Sequence, residues 1–364
     1  MESPVIQKTQ TPLDTSNRLH NLDYLRGLAA FGIMIYHYLS WTLGKFPSET
    51  FLGRVGIYGV SIFYVLSGLT LFYVYHHKML PSKSDLLAFA KKRFFRIFPL
   101  LWLATITAIL LSRKFPDAAK LFLNLSGLFG LLKWDAYIST GAWSIGNELV
   151  FYIFFPVFIF LSRKNKIALT ILSLILLGLY LYFAFQLLDP ARSLGEADQW
   201  RNYVNPLNQV FLFLGGFSIG LIFKHRNIPV VLNLLILITG LALFIFYPVQ
   251  GDTIQLVTGI NRIVFTVCCF LVCISFYKLR VDFPSVINTP LKLLGEASYS
   301  VYLLHPLVYS VVGKVVTLAG KHAFPISDGI KISISIIITL ITSYVVYEYF
   351  EKYFMRLGRE MKIR

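Results

Sequence analysis

Apolar stretches approaching 20 residues recur from residue 22 almost to the end of this chain, and nothing else in the sequence restricts the fold as tightly. A helix rising 1.5 Å per residue needs about 20 apolar residues to cross a hydrocarbon core of about 30 Å. Backbone groups in lipid must be hydrogen-bonded within the chain, so such stretches are helices. The hydropathy pattern predicts spans at 22–44, 52–76, 97–112, 143–162, 166–188, 206–224, 229–247, 257–277, 297–319 and 329–350. Only 14% of the 364 residues are charged and 56% are hydrophobic, whereas a soluble domain is about 25% charged. The expected fold is an all-α integral membrane protein, a bundle of about ten transmembrane helices. The shortest span, 97–112, is expected to tilt or to continue as a re-entrant piece from Phe122 to Leu132.

A formal net charge of +16 would suggest nucleic acid in a soluble protein. Here the basic residues fall in short clusters between apolar runs, which is a topology signal, so no nucleic-acid partner is expected. A cytoplasmic N-terminus puts about 21 of the 34 Lys and Arg residues inside and about 12 outside, with Arg26 left within a span. Both termini are then cytoplasmic. Residues 1–20 read as a polar cytoplasmic tail without a cleavage site, 21–355 as one membrane domain and 356–364 as a basic tail. The outer segment Asp189 to Asn205, with Asp198, Gln199, Trp200 and Arg201, reads either as the lining of an acceptor site or as a solvated connector. Cys268, Cys269 and Cys273 share one apolar run without metal-ligand spacing and are expected to be small packing residues. No metal is expected, and no repeat of 20–50 residues is evident.

The first span carries three ionisable groups, Asp23, Arg26 and His37. Eleven helical steps bring Arg26 and His37 to one face, about 16 Å apart, with Arg26 near the cytoplasmic rim and His37 about two-thirds of the way across. Ionisable groups at such depth cost several kcal/mol unless they face a cavity or a partner. The span from 143 begins Trp143-Ser-Ile-Gly-Asn147-Glu148, and entry from outside puts Glu148 at about the depth of His37. A carboxylate there is suited to fixing an imidazole tautomer; alternatively Glu148 pairs with Arg262, which lies at comparable depth. Arg93 and Arg96, one turn apart, are able to grip phosphates bidentately or to anchor lipid head groups. In the ninth span, Ser298, Tyr302 and His305 line up before Pro306, which is expected to bend the helix into a polar passage or a packing kink.

Six ordered segments resemble the membrane acyltransferase-3 family: Leu-Asp-x-Leu-Arg-Gly-Leu-Ala-Ala followed by His37; Val60-Ser-Ile-Phe-Tyr-Val-Leu-Ser67-Gly68; Arg93-x-x-Arg96-Ile-x-Pro99; Trp143-Ser-x-x-x-Glu148-x-x-Phe151-Tyr152; Ser298-Tyr-Ser-x-Tyr-Leu-x-His305; and Tyr347 to Glu351. The resemblance runs from about residue 20 to 355. It implies an acyl-CoA donor, acetyl-CoA above all, arriving from the cytoplasm of a bacterial inner membrane. It also implies a glycan or lipid-linked saccharide acceptor on the far side. Arg26 and His37 match the family's essential pair, and Arg93 with Arg96 match the arginines proposed for coenzyme A. In this sequence the last glutamate, Glu351, is followed by Lys352 where the family usually has proline. No hydrolase-like domain follows the spans, so transfer is expected to finish on this chain or on a separate partner.

These readings combine into one expected mechanism, an O-acyltransferase with His37 as general base, Glu148 and Arg26 supporting it, and Arg93, Arg96, His305, Tyr302 and Ser298 along the donor path. Asn147, Trp143 and Arg262 are the candidate acceptor contacts. Direct transfer is preferred to a covalent relay, since Ser67 is the sole weak candidate for an activated nucleophile. The rival reading is a transporter for a small anion or sugar that uses the same buried groups as its pathway.

Overall fold

The computed structural model describes residues 15–279, 283–322 and 327–361, and among them every regular element is helical. In chain order the helices are α1 (Thr15–Leu43), α2 (Phe51–Tyr75), α3 (Lys83–Ser112), α4 (Ala118–Ser126), α5 (Phe129–Leu132), α6 (Ala142–Lys164), α7 (Lys166–Tyr182) and α8 (Ala197–Tyr203). They are followed by α9 (Pro206–Phe223), α10 (Val230–Phe246), α11 (Ile254–Val257), α12 (Gly259–Lys278), α13 (Ser285–Glu296), α14 (Ser298–His322), α15 (Asp328–Val346) and α16 (Lys352–Glu360).

Each of the ten expected spans falls on one of these helices. Eight of them are long and apolar enough to cross a membrane. Helix α10 is also apolar but shorter, 17 residues; α1 has the length, 29 residues, but carries the ionisable groups noted above. The chain is thus an all-α, multi-pass membrane protein.

Local chemistry explains several of the boundaries. Thr50 caps α2 by accepting from Gly53 N at 3.0 Å, and Ser82 caps α3 by accepting from Asp85 N at 3.2 Å. Asn205 and Pro206 together open α9. Because α3 begins at Lys83, Arg93 and Arg96 stand well inside it, and the expected short span is the second half of a 30-residue helix. The stretch from Phe122 to Leu132 falls on two separate short helices, α4 and α5. Two of the expected tails also differ. Helix α1 is already formed at Thr15, and residues 1–14 and 362–364 lie outside the described residues. The C-terminal stretch is helical to Glu360, because Lys352, unlike a proline, keeps its N–H and lets the chain run on from a wider π turn at Tyr347–Glu351.

Small residues set the closest helix approaches. A Cβ on Gly68 of α2 would stand 2.0 Å from Phe213 O, and one on Gly216 of α9 would stand 1.9 Å from Val65 O. The two backbones touch reciprocally, as small-residue interfaces in membranes do. Arg54, 2% exposed, gathers the chain end of α10 by donating to the carbonyls of Ser48, Phe244, Ile245 and Tyr247 at 2.7–2.9 Å. Its charge sits where the helix dipole is negative. The three cysteines are buried free thiols packed in the apolar core, as their apolar run implied.

Candidate active site

The centre of the site is built by two helices that start from one contact. A Cβ on Gly27 of α1 would lie 2.6 Å from Gly295 N, and one on Gly295 would lie 2.4 Å from Asp23 O, so the two backbones are pressed together there. From this point His37 is ten residues along α1 (37 − 27) and His305 ten residues along the α13–α14 chain (305 − 295). Both climb about 15 Å. The two imidazoles therefore meet, with His37 Nδ1 2.9 Å from His305 Nε2.

The bonds around this pair run in one direction. His305 Nδ1 lies 3.1 Å from the carbonyl oxygen of Val301, which only accepts, so the hydrogen is on His305 Nδ1. In the neutral pair His305 Nε2 is then a lone pair, and His37 donates to it through Nδ1–H. That leaves His37 Nε2 unprotonated, the form a base requires. Tyr38 holds the backbone of α14 at this level: its hydroxyl donates to His305 O at 2.9 Å and receives from Thr339 Oγ1 at 2.5 Å. Trp41 stacks on the His37 ring with centroids 4.9 Å apart and planes 7° from parallel.

A cavity of about 330 Å³ lies on the Arg26 side of the pair. It is lined by the cations Arg26, Arg93 and Arg96, the carboxylates Asp23, Glu148 and Glu296, and the hydroxyls of Ser67, Ser298 and Tyr302, among others. His37 does not line it. Tyr302 is the link, since its ring forms part of the wall and stands 6.1 Å from the ring of His305, edge to face. Ser144 donates to the Tyr302 oxygen at 2.8 Å and Tyr302 donates to Gly141 O at 3.1 Å, which fixes the phenol.

Around the cavity, Arg26 pairs with Asp23 at 2.5 Å and donates to Thr70 at 3.0 Å. Arg93 is seated among the rings of Tyr75, Phe89 and Tyr152, each 5.8–5.9 Å from its guanidinium carbon. Arg96 meets Met355 Sδ at 3.4 Å. Two buried lining atoms, Arg93 Nε and Ser298 Oγ, have no hydrogen-bond partner within the chain, although polar atoms at such depth are ordinarily satisfied.

The structure therefore brings six of the expected residues to one cavity: Arg26, Arg93, Arg96, Glu148, Ser298 and Tyr302. His305 does not line the cavity and stands instead against the His37 imidazole. Two expected pairings do not form. Glu148 accepts from Ser67 at 2.7 Å and from Tyr152 at 2.6 Å, while the partner of His37 is His305. Arg262 donates to Asn208 O at 2.9 Å and lies over the Tyr180 ring at 3.8 Å, so it does not hold Glu148. Asn147 sits behind the cavity wall, donating to Tyr64 OH at 3.1 Å, and Trp143 packs on Trp200 and Tyr203; neither lines the cavity. Tyr347 and Thr70 line it without having been singled out as site residues; for Tyr347 the signal was its place at the head of the last family segment. Among the described residues no group of three or more His, Cys, Asp or Glu side chains is placed to hold a metal.

The fold and the site together define a helical membrane bundle with an arginine-lined cavity beside a hydrogen-bonded histidine pair. The family model described as "Acyltransferase domain" matches residues 19–348, and the chain belongs to that family, the acyltransferase-3 family. Among its relatives, the O-acetyltransferase OatA of Staphylococcus aureus is 26% identical over 367 residues, covering 92% of this chain and 56% of the relative. The putative acetyltransferase ORF330 of Acidianus two-tailed virus is 26% identical over 81% of the chain and 85% of its own length. The exopolysaccharide production protein ExoZ of Rhizobium meliloti is 25% identical over 74% and 81% respectively. The chain thus spans little more than half of the staphylococcal protein. No solved structure matches it.

Proposed function

We propose that this chain is an acyl-CoA-dependent O-acyltransferase of a bacterial cytoplasmic membrane, with both termini in the cytoplasm. It moves an acetyl group from acetyl-CoA to a hydroxyl of a surface or lipid-linked glycan. The carrying observation is the hydrogen-bonded pair of His37 and His305 behind the Tyr302 wall of a cavity that holds three arginines.

In this reading Arg93 and Arg96 take the phosphates of coenzyme A, for which planar, permanently charged guanidinium groups are suited. The unpartnered Ser298 Oγ and Arg93 Nε find acceptors on the donor. The thioester lies at the Tyr302 end. His37 Nε2 removes the proton of the acceptor hydroxyl as the oxygen attacks the thioester carbonyl; the carbon–sulfur bond breaks, and the departing thiolate takes that proton from the imidazolium. His305 accepts the Nδ1–H throughout and helps carry the transient charge. General-base catalysis of this kind contributes about 10²–10⁴-fold.

The test uses the purified chain in lipid nanodiscs with acetyl-CoA. Release of free CoA that depends on an added hydroxyl acceptor, and is lost in His37→Ala at unchanged protein abundance, is the expected result. Movement of an unmodified solute into proteoliposomes with no ester formed would replace this reading by that of a carrier.

A further inference from the structure

A second cavity, of about 380 Å³, lies along α1 beyond His37. Lys45, Phe46 and Pro47, just after α1, form one side, and the segment from Leu194 to Trp200 with the turn at 251–253 closes the other. Tyr36 of α1 lines it, and the Tyr36 ring centroid is 5.3 Å from that of His37. His37 thus stands between two contacts. One is Tyr36, which opens on this cavity; the other is His305, which leads through Tyr302 to the arginine-lined one.

The lining has a definite chemistry. Trp200 is held rigidly, its Nε1 donating to Tyr137 OH at 2.9 Å and its ring set edge to face against Trp143 at 5.7 Å. Tyr36 and Phe46 add further aromatic surface, and flat aromatic faces flanked by polar groups suit a ring that has an apolar C–H face and a rim of hydroxyls. Asp252 supplies acceptors: Oδ1 is occupied by the N–H groups of Leu194 and Ile254, at 3.2 and 3.0 Å, while Oδ2 has one long contact from Ser193 at 3.3 Å. Lys45 supplies donors. Their opposite charges roughly cancel, so the cavity does not select for an anion. Its volume is at the small end of the roughly 300–1,000 Å³ typical of small-molecule sites.

We infer that this cavity is the acceptor site and seats a neutral saccharide, with Tyr36 and Trp200 against the sugar faces and Lys45 and Asp252 on its hydroxyls. The inference rests on the acyltransferase reading and adds to it the residues that choose the acceptor. Trp143, expected to touch the acceptor, instead braces the tryptophan that does.

Lys45→Cys tests this, because Lys45 is exposed and the three native cysteines are buried. Cells carrying the variant are treated with a bulky, membrane-impermeant maleimide, with Lys114→Cys, also exposed but outside both cavities, as the control. Alkali-labile acetate is then measured in the polysaccharide, lipid and protein fractions. The expected result is at least tenfold less acetate in the polysaccharide fraction for labelled Lys45→Cys than for labelled Lys114→Cys, while the purified labelled protein keeps its Kd for acetyl-CoA within twofold. Gly195→Trp, which fills the cavity from its loop, is expected to do the same without reagent. Labelled Lys45→Cys working as well as labelled Lys114→Cys overturns the site, and acetate found only in lipid or protein overturns the saccharide. Failure of the underlying reading looks different, since the unmodified chain then neither binds acetyl-CoA nor forms ester.

Discussion

Removing the acceptor end of the histidine pair isolates its contribution. In His305→Leu the Nδ1–H of His37 loses its partner, so nothing favours the tautomer with a free Nε2, and nothing accepts from the imidazolium formed when the base takes a proton. A hydrogen bond to a charged group is worth about 1.5–3 kcal/mol. At 1.36 kcal/mol per tenfold in rate, kcat should fall roughly 10- to 150-fold. His305→Gln places an amide oxygen within reach of the same N–H and should recover much of the loss, while His37→Ala should cost the full general-base effect of about 10²–10⁴-fold. The arginines of the cavity are untouched, so KM for acetyl-CoA should stay within about twofold in both His305 variants. Steady-state release of CoA, followed with a thiol reagent on nanodisc-embedded protein, measures both parameters. A His305→Leu enzyme with wild-type kcat, or one in which Gln and Leu are equally impaired, would refute the directional bond.

Other outcomes follow from the same geometry. Arg96→Ala and Arg93→Ala should raise KM for acetyl-CoA at least tenfold, and Arg93→Lys should not restore it, because an ammonium lacks the planar fork that sits among Tyr75, Phe89 and Tyr152; initial rates across a donor titration check this. Gly216→Val should cost about 1–3 kcal/mol by forcing α9 off α2, seen as a lower Tm and a lower folded yield in detergent. Arg54→Met should cost about 2–5 kcal/mol by stranding the carbonyls of Ser48, Phe244, Ile245 and Tyr247, with transfer per folded molecule unchanged. Burial pushes the Asp252 carboxyl up, but the N–H groups of Ile254 and Leu194, the Ser193 hydroxyl and nearby Lys45 outweigh it and hold it below its ordinary 3.8. Its contribution to the loops it ties together is therefore present at neutral pH and lost only as the pH falls below that value, so limited proteolysis at 191–200 should quicken there and, in Asp252→Asn, at neutral pH.

The helices and much of the arginine-lined cavity were legible in the sequence. Hydropathy locates spans because lipid leaves the backbone few alternatives, and the family segments carried Arg26, Arg93, Arg96, Glu148, Ser298 and Tyr302 to one place. The partner of His37 was not legible, for a geometric reason. Depth arithmetic fixes how far a residue lies from the membrane surface and says nothing about which helix stands beside it. Sequence counting sets Glu148 and His37 at one depth, but α6 turns its carboxylate toward Ser67 of α2, whereas α14 runs alongside α1. What brings His305 level with His37 is the touch of Gly295 on Gly27. That contact joins residues 268 apart in sequence, and no periodicity reveals it. The second cavity was hidden for a similar reason: most of its lining comes from three separate connections, of which only the Trp200 segment had drawn notice.

Two glycines pressed together thus act as the origin of a ruler with a histidine at the tenth mark on each arm. Between those marks Ser298, Tyr299 and Tyr302 line the arginine-bearing cavity. Inserting or deleting one residue on either arm would turn its imidazole by about 100° and shift it by about 1.5 Å. Chain length between residues 27 and 37, and between 295 and 305, is accordingly a harder constraint on this protein than the identity of most residues within those intervals.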